Sequence, residues 1–165
     1  MEIAAARAED RPSAEAFLCQ HQTLRIARRG ELVDPLDHPA LVAWVDGEVA
    51  GVATYVLDGD ACELLTLHAA TRLTGIGSGL VAAVVDTARS VGCRRLWVVT
   101  TNDNVEALRF YQRRGFRISS VRPGAVDASR ERLKPEIPQV GNFGIPLRDE
   151  IELELDLVAG HAPGL

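Results

Sequence analysis

The residues best suited to chemistry form a glycine-rich turn between a predicted strand and a predicted helix. The turn reads Arg72-Leu-Thr-Gly-Ile-Gly-Ser-Gly-Leu80. Glycine lets a backbone turn tightly and approach a ligand, and the first turn of the next helix offers N–H groups and the positive end of its dipole. The segment therefore predicts an anion site, with a pyrophosphate as its natural occupant. A glycine-rich turn that binds no ligand is the alternative.

Two familiar phosphate-binding motifs do not fit this turn. The dinucleotide fingerprint Gly-x-Gly-x-x-Gly has Leu80 where its third glycine should stand. The preceding strand also ends a series of antiparallel strands instead of opening a strand–helix–strand unit. A P-loop needs Gly-Lys followed by Ser or Thr, which the segment lacks. The turn therefore indicates neither a dinucleotide nor a nucleoside triphosphate site.

A second group of candidate residues lies on one face of a later predicted helix. Asn104, Ala107 and Tyr111 follow the spacing i, i+3, i+7, which places their side chains on a common stripe. An amide, a small side chain and a phenol are a poor core pattern but a good lining for a narrow polar ligand. An ordinary amphipathic helix with a tyrosine at its rim is the alternative.

The hydrophobic pattern places both groups on a mixed α/β fold. Strand-like runs lie at 2–7, 40–45, 49–57, 62–69, 95–101, 116–121 and 150–157, and helical spacing follows Pro12-Ser13 and recurs at 78–91, 104–114 and 125–133. The glycine-rich turn thus connects a strand to a helix, and so does the segment before Asn104.

Turn signals and alternation predict how these elements connect. Asp46-Gly47 between apolar runs predicts a hairpin, so the later strands of the first half are antiparallel. Strands and helices alternate in the second half, which indicates a locally parallel sheet with right-handed crossovers. Ser13 is the predicted helix N-cap, and residues 28–39 predict a loop or broken helix. The alternating run 150–157 indicates a half-exposed strand, and residues 158–165 a frayed tail.

Length, charge and composition exclude several classes of protein. The 165 residues, 47% of them hydrophobic, suit one domain, and the net charge of −5 argues against a nucleic-acid binder. No apolar run approaches the roughly 20 residues of a membrane span, and the acidic start is unlike a signal peptide. The three cysteines form no Cys-x-x-Cys pair, and the four histidines lack metal-ligand spacing. We therefore expect a cytoplasmic protein that uses no metal, membrane or nucleic acid.

Together, the two motifs resemble the acetyl-CoA-binding core of the GCN5-related N-acetyltransferase (GNAT) superfamily. The first is Arg-x-x-Gly-x-Gly at 72–77, and the second is Asn-x-x-Ala-x-x-x-Tyr-x-x-x-Gly-Phe at 104–116. Their order and separation match that core, and the resemblance extends from about Val42 to Leu157. Thr-Thr-Asn-Asp-Asn before the second motif and Gly-Ile-Pro-Leu-Arg-Asp-Glu at 144–150 are similar to small bacterial members without an assigned substrate.

The resemblance implies a single N-acetyltransferase domain over residues 1–165, with a mixed, splayed β-sheet flanked by helices. Acetyl-CoA is the implied co-substrate, bound where the sheet opens between its fourth and fifth strands. A small-molecule or peptide amine attacks it directly in a ternary complex, entering opposite the cofactor between Phe17–Arg29 and the 122–149 segment. The acceptor's identity stays open, as does a homodimer. A catalytically inactive CoA-binding sensor or interaction domain is the alternative function.

The same resemblance assigns cofactor-binding residues one by one. Leu67 and Ala69 stand where the family segment Val-x-Pro ends the fourth strand, whose backbone amides hold the thioester carbonyl and pantetheine; Ala69 replaces the proline. The glycine-rich turn binds the pyrophosphate, Asn104 the pantetheine arm, and the Tyr111 hydroxyl lies near the sulfur. The cofactor-binding candidates are Leu67, His68, Ala69, Arg72, Leu73, Thr74, Gly75, Ile76, Gly77, Ser78, Gly79, Asn104, Ala107 and Tyr111.

Three residues are candidates for proton transfer. The resemblance makes Tyr111 the general acid that protonates the departing thiolate. The resemblance also makes Glu63, in a predicted central strand, the candidate general base through a water molecule, because the family often has such a carboxylate on this strand. A buried carboxylate there is costly unless it is paired or hydrogen-bonded. A salt bridge with an arginine is the alternative for Glu63. His68 is a second candidate base, although a strand-end histidine is more often simply packed.

Overall fold

The computed structural model describes residues 1–71 and 74–158, which fall into two compact units. The first unit contains Met1–Ile26 and Asp34–Arg94, and the second contains Ala27–Val33 and the described residues from Arg95 onward. Arg72, Leu73 and residues 159–165 lie outside the described residues, and with them most of the predicted tail. This division does not test whether the chain is a single domain, which stays a prediction.

Nine strands and four α-helices form the regular structure of the described residues. The strands are β1 (Glu2–Ala5), β2 (Ile26–Arg28), β3 (Glu31–Val33), β4 (Ala40–Val45), β5 (Glu48–Asp58), β6 (Ala61–Ala69), β7 (Arg95–Thr101), β8 (Arg117–Arg122) and β9 (Glu150–Asp156). The helices are α1 (Arg11–Gln20), α2 (Ile76–Ser90), α3 (Val105–Gln112) and α4 (Ala125–Arg132). The predicted mixed α/β class is confirmed, and most predicted boundaries agree to within two residues.

Two predictions for the first 40 residues are wrong. Helix α1 begins at Arg11 and not after Ser13, because Pro12 fits the first turn of a helix, where its missing N–H is not needed. The segment 28–39, expected to be a loop or broken helix, contains part of the β2–β3 hairpin. Its turn is Arg29-Gly30, whose φ angles of 51° and 76° are those of a tight two-residue hairpin turn.

In the first unit, α1 and α2 cover opposite faces of an antiparallel sheet with the strand order β1-β4-β5-β6. Val52 of β5 packs with Phe17 and Leu18 of α1 in a buried apolar cluster. The preceding Gly51 lies against α2, because a Cβ built on it would come within 2.7 Å of Ile76 and 2.9 Å of Leu80. Consecutive strand residues point to opposite faces, so the two helices lie on opposite sides.

Strand β6 contains a β-bulge in its middle. Thr54 of β5 pairs with Thr66, whereas the next residue, Tyr55, pairs with Leu64. Leu65 is therefore an extra residue of β6 without a partner on β5. A bulge of this kind shifts the alternation of side chains between the two faces of a sheet.

The bulge changes which polar side chains of β6 share a face. Strict alternation would place Glu63 and His68 on opposite faces. In the structure Glu63 pairs with Val56 and His68 with Val52, and these two β5 residues lie on the same face. Both polar side chains therefore belong to the α1 side of the sheet, opposite α2.

The second unit contains a three-stranded antiparallel sheet with the order β7-β9-β8. The expectation of parallel neighbours is wrong for β7 and β8. They run in the same direction, but β9 lies between them and is antiparallel to both. The chain between β8 and β9, residues 123–149, is long enough to bring β9 back into the middle of the sheet.

Charged and apolar residues alternate along β9, but the charged residues at its start are buried in ion pairs. The prediction of a half-exposed strand is therefore wrong for that part of β9. Glu150 and Glu152 are only 2% and 6% exposed. Arg122 of β8 lies 3.0 Å from a carboxylate oxygen of each, and Arg29 lies 3.5 Å from Glu152. Burial lowers the pKa of Arg122, but its hydrogen bonds to Glu152 and Glu150 outweigh burial and raise it above its ordinary value. Opposite charge stabilises the two carboxylates in place of water.

A buried arginine holds together the segment between β8 and β9. Arg130 of α4 donates hydrogen bonds to the backbone oxygens of Ile137, Pro138 and Leu147 at 2.9, 2.9 and 2.6 Å. It also pairs with Asp127 at 2.7 Å. The segment 122–149, the least regular part of the sequence, is therefore fixed by side-chain contacts to its own backbone.

We expect Arg130→Ala to lower the free energy of unfolding by about 3 kcal/mol or more. The change removes the donors of three backbone acceptors around a buried side chain, and each buried unpaired acceptor costs roughly 1–3 kcal/mol. Urea unfolding measures the change. Arg132→Ala is the matched control, because Arg132 is exposed on the same helix and its loss should stay within about 0.5 kcal/mol. Equal stability of the two variants would contradict this role of Arg130.

Candidate active site

Helix α2 begins at the glycine-rich turn with the geometry of an anion site. Gly75 is the N-cap residue with φ 80°, and none of the described side chains caps the helix there. Thr74, directly before Gly75, donates its Oγ1 hydrogen to the Thr71 carbonyl oxygen at 3.0 Å. Ile76 and Gly77 lie in the first turn, where backbone N–H groups have no acceptor within the helix. The backbone therefore presents donors and a positive dipole end at the predicted place.

The remaining residues of the turn have packing roles as well. Ile76 is buried and lies against the position of Gly51 in β5. A Cβ on Gly79 would lie 2.9 Å from Ile3 and 3.2 Å from Met1, so a side chain there would push β1 away from α2. Ser78, between them, is half-buried in the first turn. Gly79 also donates its N–H to the Gly75 carbonyl oxygen at 2.9 Å, so its assignment as a cofactor-binding residue finds no free backbone donor. The part of Ile76 suited to contact a ligand is its backbone N–H, in the first turn.

The end of β6 carries the backbone amides that the resemblance assigns to the thioester. Ala70 donates its N–H to the carbonyl oxygen of Ala50, in the neighbouring strand β5, at 2.8 Å. Because backbone groups alternate in direction along an antiparallel strand, the N–H groups of Leu67 and Ala69 point away from β5. The strand is buried as far as Thr66 and half-buried from Leu67 onward. These amides are thus directed away from the sheet of the first unit, at the more exposed end of the strand.

Asn104 and Ala107 are brought together at the start of α3. Asn104 is the N-cap residue, and its Oδ1 accepts a hydrogen bond from the Ala107 N–H at 3.1 Å. The side-chain oxygen is therefore engaged, and the Nδ2 amide is the part of Asn104 that can donate to a carbonyl of a ligand. Ala107 is half-buried, and its small side chain leaves space on this face of the helix.

Tyr111 lies one turn further along α3 and is 6% exposed. Its ring centroid is 5.2 Å from those of Phe110 and Phe116. Burial raises the pKa of Tyr111 above its ordinary value, while the nearby Arg114 acts in the opposite direction. The phenol is therefore protonated throughout the physiological pH range, which is the state that a proton donor requires.

A row of buried polar side chains lies on the α1 side of β5 and β6. Glu63 is 4% exposed and shares this face with Thr66 because of the bulge at Leu65. The hydroxyl oxygens of Thr54 and Thr66 are 2.7 Å apart, and Thr66 Oγ1 also accepts the Thr54 N–H at 3.3 Å. The predicted candidate base thus has polar neighbours on an otherwise apolar face.

The same row ends in a pair of stacked histidines. The rings of His68 and His21 have centroids 4.9 Å apart and planes inclined by 13°. Phe17 packs against His21 with ring centroids 4.6 Å apart. Burial, and then the proximity of His21, lower the pKa of His68 to about 4. The sequence analysis missed His21, because the contact joins the end of α1 to a strand 47 residues further along the chain and no local pattern indicates it.

The structure thus gathers the predicted residues into two groups, one in each unit. The first unit contains Glu63, the end of β6 and the glycine-rich turn; the second contains the Asn104 face of α3.

Among the described residues, no helix is long and apolar enough to cross a membrane. Within the same residues, no group of three or more His, Cys, Asp or Glu side chains is arranged to hold a metal ion.

The family model for the acetyltransferase (GNAT) family matches residues 4–116, and the chain belongs to this family. Among its relatives is the uncharacterized protein YdhI of Bacillus subtilis (strain 168), 47% identical over 105 residues, which are 64% of this chain and 65% of that protein. The uncharacterized protein YxbD of the same organism is 38% identical over 112 residues, covering 68% of this chain and 70% of that protein. The chain thus spans about two thirds of the length of these relatives.

Solved structures share the fold at lower sequence identity. A Bacillus subtilis acetyltransferase in complex with CoA matches with a TM-score of 0.69 and 19% identity, over 95% of this chain and 99% of that one. A GNAT family acetyltransferase from Elizabethkingia anophelis with acetyl-CoA bound matches with a TM-score of 0.66 and 22% identity, over 94% and 97% of the two chains. The fold that the motifs imply is therefore confirmed.

Proposed function

We propose that this chain is an N-acetyltransferase that transfers the acetyl group of acetyl-CoA to an amine. The observation that carries the proposal is the pair of described features at the end of β6 and the start of α2. The first provides two amides that point away from β5, and the second an uncapped helix start at Gly75. These are the donors that a thioester carbonyl and a pyrophosphate need. Family membership and the CoA or acetyl-CoA bound to structural relatives support the same reading.

The residues of this chain divide the binding of acetyl-CoA between them. The first turn of α2 receives the pyrophosphate, since its N–H groups and dipole favour an anion. The Leu67 and Ala69 amides receive the thioester carbonyl and the pantetheine. Asn104 donates from Nδ2 to the pantetheine arm, with Ala107 leaving space beside it.

The reaction proposed is direct attack of the amine on the thioester carbon. A C–N bond forms and the carbonyl oxygen becomes an oxyanion, which the backbone amides of β6 stabilise. The C–S bond then breaks, and Tyr111 gives its hydroxyl proton to the departing thiolate. Glu63 is the candidate general base that the resemblance gives, acting through a water molecule, and its position on the α1 side of β6 supports that role.

The acceptor is a small-molecule or peptide amine that enters on the α1 side, opposite α2. The 122–149 segment is proposed to contribute to its affinity, since loops fixed by a scaffold often carry specificity. Asp127 is a weaker partner for a cationic amine than its charge indicates, because it already pairs with Arg130. Glu131 and Glu136 of the same segment are exposed, and we propose them as partners for such an amine. We also propose a cytoplasmic location, which the three free cysteines support.

A panel of amines incubated with the protein and acetyl-CoA tests the proposal. Free CoA is followed by mass spectrometry, because thiol dyes would also react with protein cysteines. Formation of CoA that depends on both protein and a particular amine supports the enzyme. Binding of acetyl-CoA without amine-dependent CoA release across the panel favours the alternative, a CoA-binding sensor or interaction domain.

A further inference from the structure

The His68–His21 pair lies on the side of the first unit from which the amine is proposed to enter. His68 pairs with Val52, which faces α1, whereas Gly51 and Ala69 belong to the face covered by α2. The backbone of β6 at this point is assigned to the thioester. The imidazole of His68 therefore extends from the thioester-binding strand toward the acceptor side.

The surroundings of this imidazole keep it uncharged. It is half-buried at the edge of the apolar cluster that contains Phe17 and Val52. The titratable group stacked on it is His21, from the end of α1, and burial and His21 together lower the pKa of His68 to about 4. Glu63 shares the face further along β6, and β5 contributes Val52 and the hydroxyl of Thr54. A neutral imidazole has a free lone pair on one ring nitrogen, so it can accept a proton.

We propose that His68 is the group that takes the proton from the acceptor nitrogen, and that His21 is a positioning residue that holds its ring. The proposal rests on the proposed acetyltransferase function and changes the identity of the base. Glu63 lies beyond Thr66 on the same face, deeper in the strand, and is more buried than His68. His68 is the polar side chain of this row that is adjacent in sequence to both assigned amides.

The proton transfer fits the balance of the reaction. A neutral amine attacks the carbonyl carbon, and the new C–N bond leaves a positive charge on nitrogen and a negative charge on oxygen. That nitrogen is far more acidic than a free ammonium, so a weak base suffices to remove its proton. His68 takes the proton, the C–S bond breaks, and the thiolate receives a proton from Tyr111. Solvent returns one proton to Tyr111 and removes one from His68, so that amine and acetyl-CoA become amide and CoA.

His68→Gln provides the first test, with the amine that gives the highest CoA release in the panel. Glutamine keeps a polar side chain of similar size but cannot be protonated in this pH range. We expect kcat to fall about 10²–10⁴-fold, the usual contribution of a positioned base, while the KM for acetyl-CoA stays within a few fold. His38→Gln is the matched control and should leave kcat unchanged. Glu63→Gln, measured alongside, should reduce kcat less than His68→Gln.

The pH dependence of kcat/KM separates a proton acceptor from a packing residue. The acid limb of the wild-type profile should lie near pH 4–5, since His68 accepts a proton only above its pKa of about 4. His21→Gln removes one of the two causes that lower this pKa, so the limb should move toward higher pH. The ratio of the two profiles on one amine cancels the ionisation of the amine itself. This second variant lies at the end of α1, so the test does not depend on the folding of His68→Gln.

The outcomes distinguish this inference from the proposed function. A wild-type protein that acetylates no amine overturns both. A wild-type protein that is active, with a kcat for His68→Gln within twofold of the parent, overturns the role of His68 alone. An acid limb that does not move in His21→Gln also overturns it. A large loss in Glu63→Gln beside a small loss in His68→Gln returns the role of base to Glu63.

Discussion

Tyr111→Phe is expected to lower kcat by about 10²–10⁴-fold while the affinity for acetyl-CoA changes by less than a few fold. The substitution removes one hydroxyl and leaves the ring packed between Phe110 and Phe116. A CoA thiolate is a fairly good leaving group, and burial raises the pKa of Tyr111, which weakens it as an acid. Both considerations favour the lower end of this range. The loss should appear in kcat, because the proton is transferred only as the C–S bond breaks.

The second tyrosine of the chain provides a matched control. Tyr55 is also buried, on β5 of the first unit, and burial likewise raises its pKa. Tyr55→Phe makes the same chemical change outside the assigned site, and we expect kcat to stay within about twofold of the parent. Steady-state rates and titration calorimetry with CoA on the same preparations measure the two quantities. If Tyr111→Phe also keeps kcat within a factor of two, Tyr111 is only a packing residue.

Gly77→Glu is expected to abolish the stabilisation of the protein by acetyl-CoA. For the wild type, ligand at 100 times its Kd should add about 2.7 kcal/mol to the free energy of unfolding, or roughly 5–10 °C in Tm. The variant places a side chain and a negative charge in the first turn of α2, where the pyrophosphate is proposed to bind. A carboxylate at a helix start does not destabilise the helix itself, since its interaction with the positive end of the helix dipole contributes roughly 0.3–1 kcal/mol of stability.

Gly77→Gln separates the effect of charge from that of volume. Glutamine has nearly the shape of glutamate without its charge, so we expect the thermal shift to be reduced but still measurable. Differential scanning fluorimetry with a titration of acetyl-CoA gives both values. An unchanged shift in Gly77→Glu would show that the pyrophosphate does not bind at this turn.

The parts of the site that could be predicted are those that short segments encode. Glycine in the turn indicates a backbone conformation that other residues rarely adopt, and Gly75 does have a positive φ angle. Helical spacing likewise predicts that Asn104 and Ala107 lie together, as they do. The predicted limits of β7 agree with the observed ones, because a buried run of β-branched and aromatic residues has few alternatives. These signals act within about ten residues of chain.

The features that could not be predicted depend on contacts between distant segments. Nothing in the sequence around Leu65 marks a bulge, yet the bulge decides that Glu63 and His68 share a face. The buried Glu150 looks like an exposed strand residue until Arg122 of the neighbouring strand is known. The hairpin turn at Arg29-Gly30 does not depend on distant contacts. A two-residue turn that contains glycine between short apolar runs is a local signal from which this hairpin can be predicted.

Transfer of a labelled acetyl group is the most direct measurement of the proposed activity. Acetyl-CoA carrying ¹³C in both acetyl carbons is incubated with the protein and each amine of the panel, and the amine products are analysed by mass spectrometry. We expect an amine that gains the labelled acetyl group in step with the release of CoA, with Tyr55→Phe matching the wild type and Tyr111→Phe far slower. Binding of labelled acetyl-CoA without the appearance of label on any amine would contradict the assignment of this chain as an N-acetyltransferase.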